Sequence, residues 1–181
     1  PGIVLRTAAL LEPPHTVDDK LRGAALYALD SFRHFRNRLG DVLTAVNASI
    51  SHGILRQLLH CTIQRLRELA KAESSPPSFD VFVDALMTLI ANLATVASGT
   101  SMATGAGLVP QMLELACIEA PTNYLVQRTS TRAVGLLDSI LYAYPSTFQQ
   151  FTASHGIDVL VRRVESDMSL EQGPEPLPYG R

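Results

Sequence analysis

Apolar residues recur at helical spacing along most of this chain. Between residues 54 and 70, Leu55, Leu58, Leu59, Thr62, Ile63, Leu66 and Leu69 fall on one side of a helix. Gln57, His60, Gln64, Arg67 and, just beyond this range, Lys71 fall on the other. That is the two-faced pattern of a helix half in a core. Leu21, Ala24, Ala25, Ala28, Leu29, Phe32 and Phe35 repeat the pattern earlier, and Leu125, Val126, Ala133, Val134, Leu136, Leu137, Ile140 and Leu141 repeat it later. The spacing predicts helices over about 2–11, 18 to 36 or 38, 41–48, 54–70, 78–97, 107–119, 124–143, 146–153 and 157–168. No stretch shows the strict alternation or β-branched clustering of a strand. The expected fold class is all-α.

The breaks between helices are as regular as the helices. Gly53, Gly107 and Gly156 each precede an apolar pair that leads into a helix, and Gly2 starts a fourth such stretch. The glycines lie 51, 54 and 49 residues apart. Near-regular spacing of this size is the mark of stacked helical repeats. Each unit reads as a long helix, a shorter helix, a glycine corner and a third helix. Leu29-Asp30-Ser31-Phe32 and Leu137-Asp138-Ser139-Ile140 look like counterparts in two long helices. His52 and His155 each stand before a corner glycine, so they read as equivalent structural positions. Pro13-Pro14 and Pro76-Pro77 end helices, and Pro110 opens one at its first turn, where its missing N–H is no loss. Ser78 and either Thr122 or Asn123 are expected N-caps. The loop 73–78 is the expected site of flexibility and protease attack.

Composition narrows the function. The chain has 181 residues, of which 18% are charged, against about 25% in typical domains. So little charge suggests that some apolar surface meets further protein. A net charge of −2 argues against a nucleic-acid binder and gives no attraction to an anionic membrane. The charge-free run 85–113 is broken by Asn92, Ser98, Gly99, Thr100, Ser101, Thr104, Gly105 and Gly107, so it reads as two buried helices around a bend. Cys61 and Cys117 lie inside apolar runs and read as buried free thiols in a reducing, intracellular compartment. No signal peptide is expected at the start, and both ends look cut from something longer.

Candidate chemistry is sparse. His60 and Cys61 are adjacent, so a helix points them about 100° apart and they do not converge on a metal. No GxSxG elbow, phosphate loop or His-x-x-x-His pair occurs, and Asp80 and Asp84 read as helix-start carboxylates. No catalytic residue, cofactor or metal is assigned. The basic residues Arg33, His34, Arg36 and Arg38 suit the end of a helix.

Three helices with a glycine turn before the third resemble the armadillo repeat, and the stretch 107–115 is similar to the start of an armadillo third helix. The resemblance implies an armadillo/HEAT-like, right-handed α-solenoid of about three stacked repeats over residues 1–168, a fragment of a longer solenoid. Residues 169–181 are then an extended or disordered tail. Third helices line the concave face of such a stack. Seven residues past each corner glycine stand His60, Glu114 and Arg163, and four past stand Gln57 and Gln111. These five are the candidate protein-binding residues.

Longer stretches resemble a narrower family. Val46 to Leu55, Ala153 to Glu165 and Val134 to Tyr144 are similar to the N-terminal helical regions of giant HECT-type ubiquitin ligases of the Tom-one/HUWE kind. The resemblance runs over roughly 21–168. It implies a non-catalytic scaffold segment that supports substrate recruitment for ubiquitin transfer, the catalytic cysteine lying in a distant HECT domain. The implied partners are protein substrates, neighbouring repeats of the same chain and, through the parent protein, the ubiquitin-conjugating machinery. The implied location is nucleus and cytoplasm. The alternative is a stand-alone armadillo adaptor that binds peptides or proteins in transport or cytoskeletal assembly.

Overall fold

The computed structural model describes residues 2–12, 18–35, 37–47, 53–94, 96 and 107–171. These residues are helical with short connections, and no strand occurs among them. In chain order the helices are α1 (Ile3–Ala9), α2 (Asp19–Phe32), α3 (Leu39–Asn47), α4 (Ile54–Leu69), α5 (Pro77–Ala94), α6 (Leu108–Ala116) and α7 (Tyr124–Ala143). A 3-10 turn at Pro145–Thr147 leads into α8 (Phe148–Ala153) and α9 (Gly156–Glu171).

The helices meet in two series. The long helices α2, α5 and α7 neighbour one another in turn, and so do α4, α6 and α9. The α2–α5 contact is the most extensive, followed by α6–α7. The core is continuous from Val4 in α1 to Phe151 in α8. Fully burying each of its many leucines, Leu26, Leu59, Leu86 and Leu137 among them, adds roughly 1.5–3 kcal/mol of favourable transfer.

The helix α5 is long and apolar enough, by length and composition, to cross a membrane. Here Phe79, Phe82, Leu86, Leu89, Ile90 and Leu93 are buried, and the helix packs against α2 and α7. It starts at Pro77, so Ser78 lies inside the first turn and is not the cap; Ser75 instead donates its hydroxyl to Asp80. Asn123 does cap α7, accepting from the Val126 N–H at 3.2 Å. Its amide also donates to the carbonyls of Leu69 and Ala72 at 3.1 and 3.0 Å, tying the start of α7 to the end of α4.

The corners differ in detail from the glycine pattern. Gly53 (φ 97°) and Gly107 (φ 61°) take the positive φ that favours glycine. Gly2 has φ −63° and is ordinary extended backbone. At the third corner the left-handed residue is His155 (φ 53°), and Gly156 is already helical. Gly156 is required for another reason. A Cβ there would stand 2.2 Å from the ring of Phe151, which is buried.

Four further expectations give way. Phe35, read as the last inward residue of its helix, is 63% exposed. The helix α2 stops at Phe32, and Asn37 (φ 66°) turns the chain into α3. Leu21, also read as inward, is exposed. Cys61 and Cys117, read as buried, are both exposed. The buried stripe of α4 uses Leu58, Leu59, Thr62 and Ile63, which leaves Cys61 outside it, and Cys117 lies just past the end of α6. The helix α9 continues to Glu171, three residues into the expected tail. His52 and the corner 49–52, the small-residue stretch 98–106 with Gly99 and Gly105, Pro13-Pro14, Arg36 and the tail 172–181 lie outside the described residues.

Candidate protein-binding face

The five candidate residues stand on α4, α6 and α9, the helices that neighbour one another in turn. Their side chains do different things. His60 is exposed on α4, and Gln57 is half-buried one turn before it. Gln111 donates from Nε2 to the carbonyl of Arg56 at 3.0 Å, joining the start of α6 to the start of α4. Its Oε1 is buried with no hydrogen-bond partner. Glu114 pairs with Arg67 at 2.8 Å, again between α6 and α4. Arg163 donates from Nη1 to the carbonyl of Ala116 at 2.8 Å, joining α9 to the end of α6. Its Nε also contacts both carboxylate oxygens of Asp167 at 2.9 Å. Thus Gln111, Glu114 and Arg163 hold successive helices of the series together, and His60 projects outward.

The structure also changes the register of the third set. Counting from the left-handed residue at each corner, seven residues on are His60, Glu114 and Arg162. Arg162 is exposed, and Arg163 is the half-buried residue beside it. Four residues on are Gln57, Gln111 and Val159. Gly156 gave a count one residue too long, because the corner conformation sits on His155.

An open cleft of about 300 Å³ lies where α4 and α6 end. Arg67, Ala70, Lys71, Glu114, Cys117, Ile118 and Glu119 line it. Two cations, Arg67 and Lys71, and two carboxylates, Glu114 and Glu119, give it no net formal charge. Although Cys117 is exposed at the surface, partial desolvation by its neighbours pushes its thiol above the ordinary value, against the pull of Arg162, Arg163 and Arg67. A thiol shifted upward is a weaker nucleophile near neutral pH, because less of it is thiolate. Sequence reading placed Arg67 and Lys71 on the polar face of α4 but did not place Cys117 or Glu119 beside them. That proximity depends on how α6 lies on α4, which neither helix encodes alone. Among the described residues no three His, Cys, Asp or Glu side chains group as metal ligands.

The series α2, α5 and α7 is also laced by polar contacts. Asp84 of α5 accepts from Tyr27 Oη of α2 and from Arg132 Nη1 of α7, each at 2.8 Å. Arg132 further donates to Thr88 Oγ1 at 2.7 Å. Asp30 accepts from Asn92 Nδ2 and from Arg33 Nε, each at 2.8 Å. Asp84, expected to be a solvated helix-start carboxylate, is the point where three long helices meet.

A third cluster is more deeply set. Asp19 takes Arg65 at 2.6 Å and Arg22 at 3.6 Å. The two guanidinium groups lie over Phe79 (3.8 Å) and Phe82 (4.5 Å) respectively. Burial pushes the Arg22 pKa down, and the Asp19 carboxylate pulls it back up.

Residues 1–64 match the family model described as Domain of Unknown Function (DUF908). The chain is 24% identical to the E3 ubiquitin-protein ligase ptr1 of Schizosaccharomyces pombe, over 100% of its own length and 5% of that protein. It is 25% identical to the E3 ubiquitin-protein ligase TOM1-like of Neurospora crassa, over 90% of its length and 4% of that protein. It is 28% identical to the E3 ubiquitin-protein ligase UPL1 of Arabidopsis thaliana, over 93% of its length and 4% of that protein. The chain therefore spans about a twentieth of the length of these curated relatives. No solved structure matches it. The resemblance to Tom-one-type ubiquitin ligases holds, with the DUF908 match over the first third of the chain and the likeness to the ligases over nearly all of it.

Proposed function

We propose that this chain is a non-catalytic segment of a giant HECT-type ubiquitin ligase, built as a right-handed armadillo-like solenoid that serves as scaffold and protein-docking surface. Similarity to E3 ubiquitin ligases along nearly the whole chain carries this reading. The two helix series support its solenoid part: α2, α5 and α7 neighbour one another in turn, and so do α4, α6 and α9. In a solenoid each repeat contacts its neighbours, and its stability is shared across those seams. The cross-helix links made by Gln111, Glu114 and Arg163 are of that kind.

In this reading the docking face is formed by His60, Gln57, Arg162 and the cleft at Arg67, Lys71 and Glu119. Polar groups of both signs on a rigid helical wall suit recognition of a polypeptide. Substrates bound there are delivered to a catalytic cysteine carried elsewhere in the parent protein, in the nucleus and the cytoplasm.

The first test is the mass of the natural polypeptide recognised by an antibody to this segment. A product many times larger than 20 kDa supports the ligase reading. A product near 20 kDa overturns it in favour of a stand-alone adaptor. In a parent ligase, His60→Glu with Lys71→Glu should lower ubiquitination of a subset of substrates while autoubiquitination is unchanged. Equal loss of both activities would count against a docking role.

A further inference from the structure

The helix α9 carries four exposed apolar side chains on one side. Ile157, Val161, Val164 and Met168 are 64%, 52%, 56% and 54% exposed. Their spacing of four, three and four residues draws a single stripe along the helix.

The same positions are buried in the two preceding helices of the series. The corners at Gly53, Gly107 and His155 supply a common origin, since each has a positive φ. Steps of two and six residues reach Leu55 and Leu59 in α4 and Val109 and Leu113 in α6, all at most 3% exposed. Those steps reach Ile157 and Val161 in α9. A step of thirteen reaches Leu66, which is buried, and Met168, which is not. The stripe is therefore an interior position of this architecture left open on one helix. On α6 the most extensive contact comes from α7, the long helix that follows it in the chain. Ser130 of α7 secures that contact by donating to the carbonyl of Leu115 at 3.0 Å.

We propose that the α9 stripe is the seat of one long amphipathic helix of the α7 kind, contributed by the same polypeptide beyond this chain. The occupant rests on the ligase reading above. The curated relatives are about twenty times as long as this chain, so they hold ample further polypeptide. The rim of the stripe carries Asp158, Arg162 and Glu165, of mixed sign, which leaves the apolar stripe to select the partner. The occupant presents aliphatic side chains at helical spacing toward α9, and a hydroxyl or amide that donates to a carbonyl of α9 as Ser130 of α7 donates to that of Leu115 in α6.

Methionine oxidation reads this seam without any substitution. Met168 lies in the stripe, whereas Met87 and Met112 are at most 2% exposed. The 181-residue chain and the full natural polypeptide are treated with dilute peroxide, and each methionine is followed by peptide mass spectrometry. In the short chain Met168 should oxidise at least tenfold faster than Met87 and Met112. In the full polypeptide it should slow at least tenfold. Val161→Asp in the full polypeptide should restore its oxidation while Met87 stays protected. An unchanged Met168 rate in a large polypeptide overturns the seam and leaves the ligase reading standing. Protection of Met168 that rises with the concentration of the short chain overturns it in favour of a second copy. A natural polypeptide near 20 kDa removes both readings.

Discussion

Arg163 donates to the carbonyl of Ala116 across 47 residues of chain, at 2.8 Å. Ala116 is the last residue of α6, so its carbonyl has no partner within its own helix. A cation placed there satisfies the orphan carbonyl and suits the negative end of the helix dipole. The Arg163 side chain is 14% exposed, which limits screening by solvent. Arg163→Ala should lower stability by about 1.5–3 kcal/mol, the range of a hydrogen bond with one charged partner. Urea denaturation measures the loss. Hydrogen exchange should show it concentrated in α9 and the end of α6. Arg163→Lys should recover only part, because an ammonium cannot hold Asp167 and the carbonyl with one planar group. A loss spread evenly over all helices would contradict the local role.

Two glycines predict opposite outcomes. A Cβ at Gly156 would collide with the Phe151 ring, and that ring is buried and cannot swing clear. Gly156→Ala should destabilise by about 1–3 kcal/mol, the range for overpacking. Gly135 lies within α7, is exposed, and has nothing within 4 Å of the added carbon. Gly135→Ala should stabilise by about 0.5–1 kcal/mol, because alanine loses less backbone freedom on entering a helix. Thermal melts of the two variants should move in opposite directions.

The Asp19 carboxylate balances two guanidinium groups, one of them largely buried. Their side chains are 9% exposed for Arg22, 13% for Asp19 and 39% for Arg65. Asp19→Asn leaves Arg22 without its counter-charge and should lower stability by about 2–4 kcal/mol. Arg65→Met keeps the Asp19–Arg22 pair and most of the packing on Phe79, so it should lower stability by less than about 1.5 kcal/mol. Chemical denaturation of both variants checks the order. A larger loss for Arg65→Met would place the balance on the wrong residue.

Tyr27 should report on Asp84 at high pH. Burial and then the hydrogen bond to Asp84 push the Tyr27 pKa up, and Arg132 pulls the other way. A raised pKa on a group that becomes anionic means that the folded state prefers the neutral phenol. The associated stability is present below the ordinary tyrosine value near 10 and is lost as pH rises through the folded value. Asp84→Ala removes the acceptor and should lower the Tyr27 pKa toward the ordinary value. Ultraviolet titration of phenolate absorbance, with Tyr27→Phe as the blank, measures it. An unmoved Tyr27 transition would mean that the hydrogen bond does not persist in solution.

The sequence pattern anticipated most of the helices because their apolar stripes are continuous. The bounds of α7 match the expectation residue for residue, and those of α4 differ by one. The misses lie where one residue type serves two geometries. Gly156 looks like Gly53 and Gly107 in sequence, yet it is a close-packing glycine, and His155 bends the chain. Periodicity carried Phe35 into a core that the helix no longer reaches, because it had ended three residues earlier at Phe32. Gln111, Glu114 and Arg163 were legible as polar residues on third helices. Their partners were not, because Arg56, Arg67 and Ala116 lie 55, 47 and 47 residues away and only the packing brings them near.

Many seams of this molecule join a side chain to a main-chain carbonyl. Gln111 reaches the carbonyl of Arg56, Asn123 those of Leu69 and Ala72, Ser130 that of Leu115, and Arg163 that of Ala116. A carbonyl is present whatever side chain its residue bears. The acceptor residue can therefore drift over evolutionary time without a matching change in its donor. Inheritance of such a joint needs one residue kept rather than two changed in step, so the packed helices can diverge widely in sequence and still fit together.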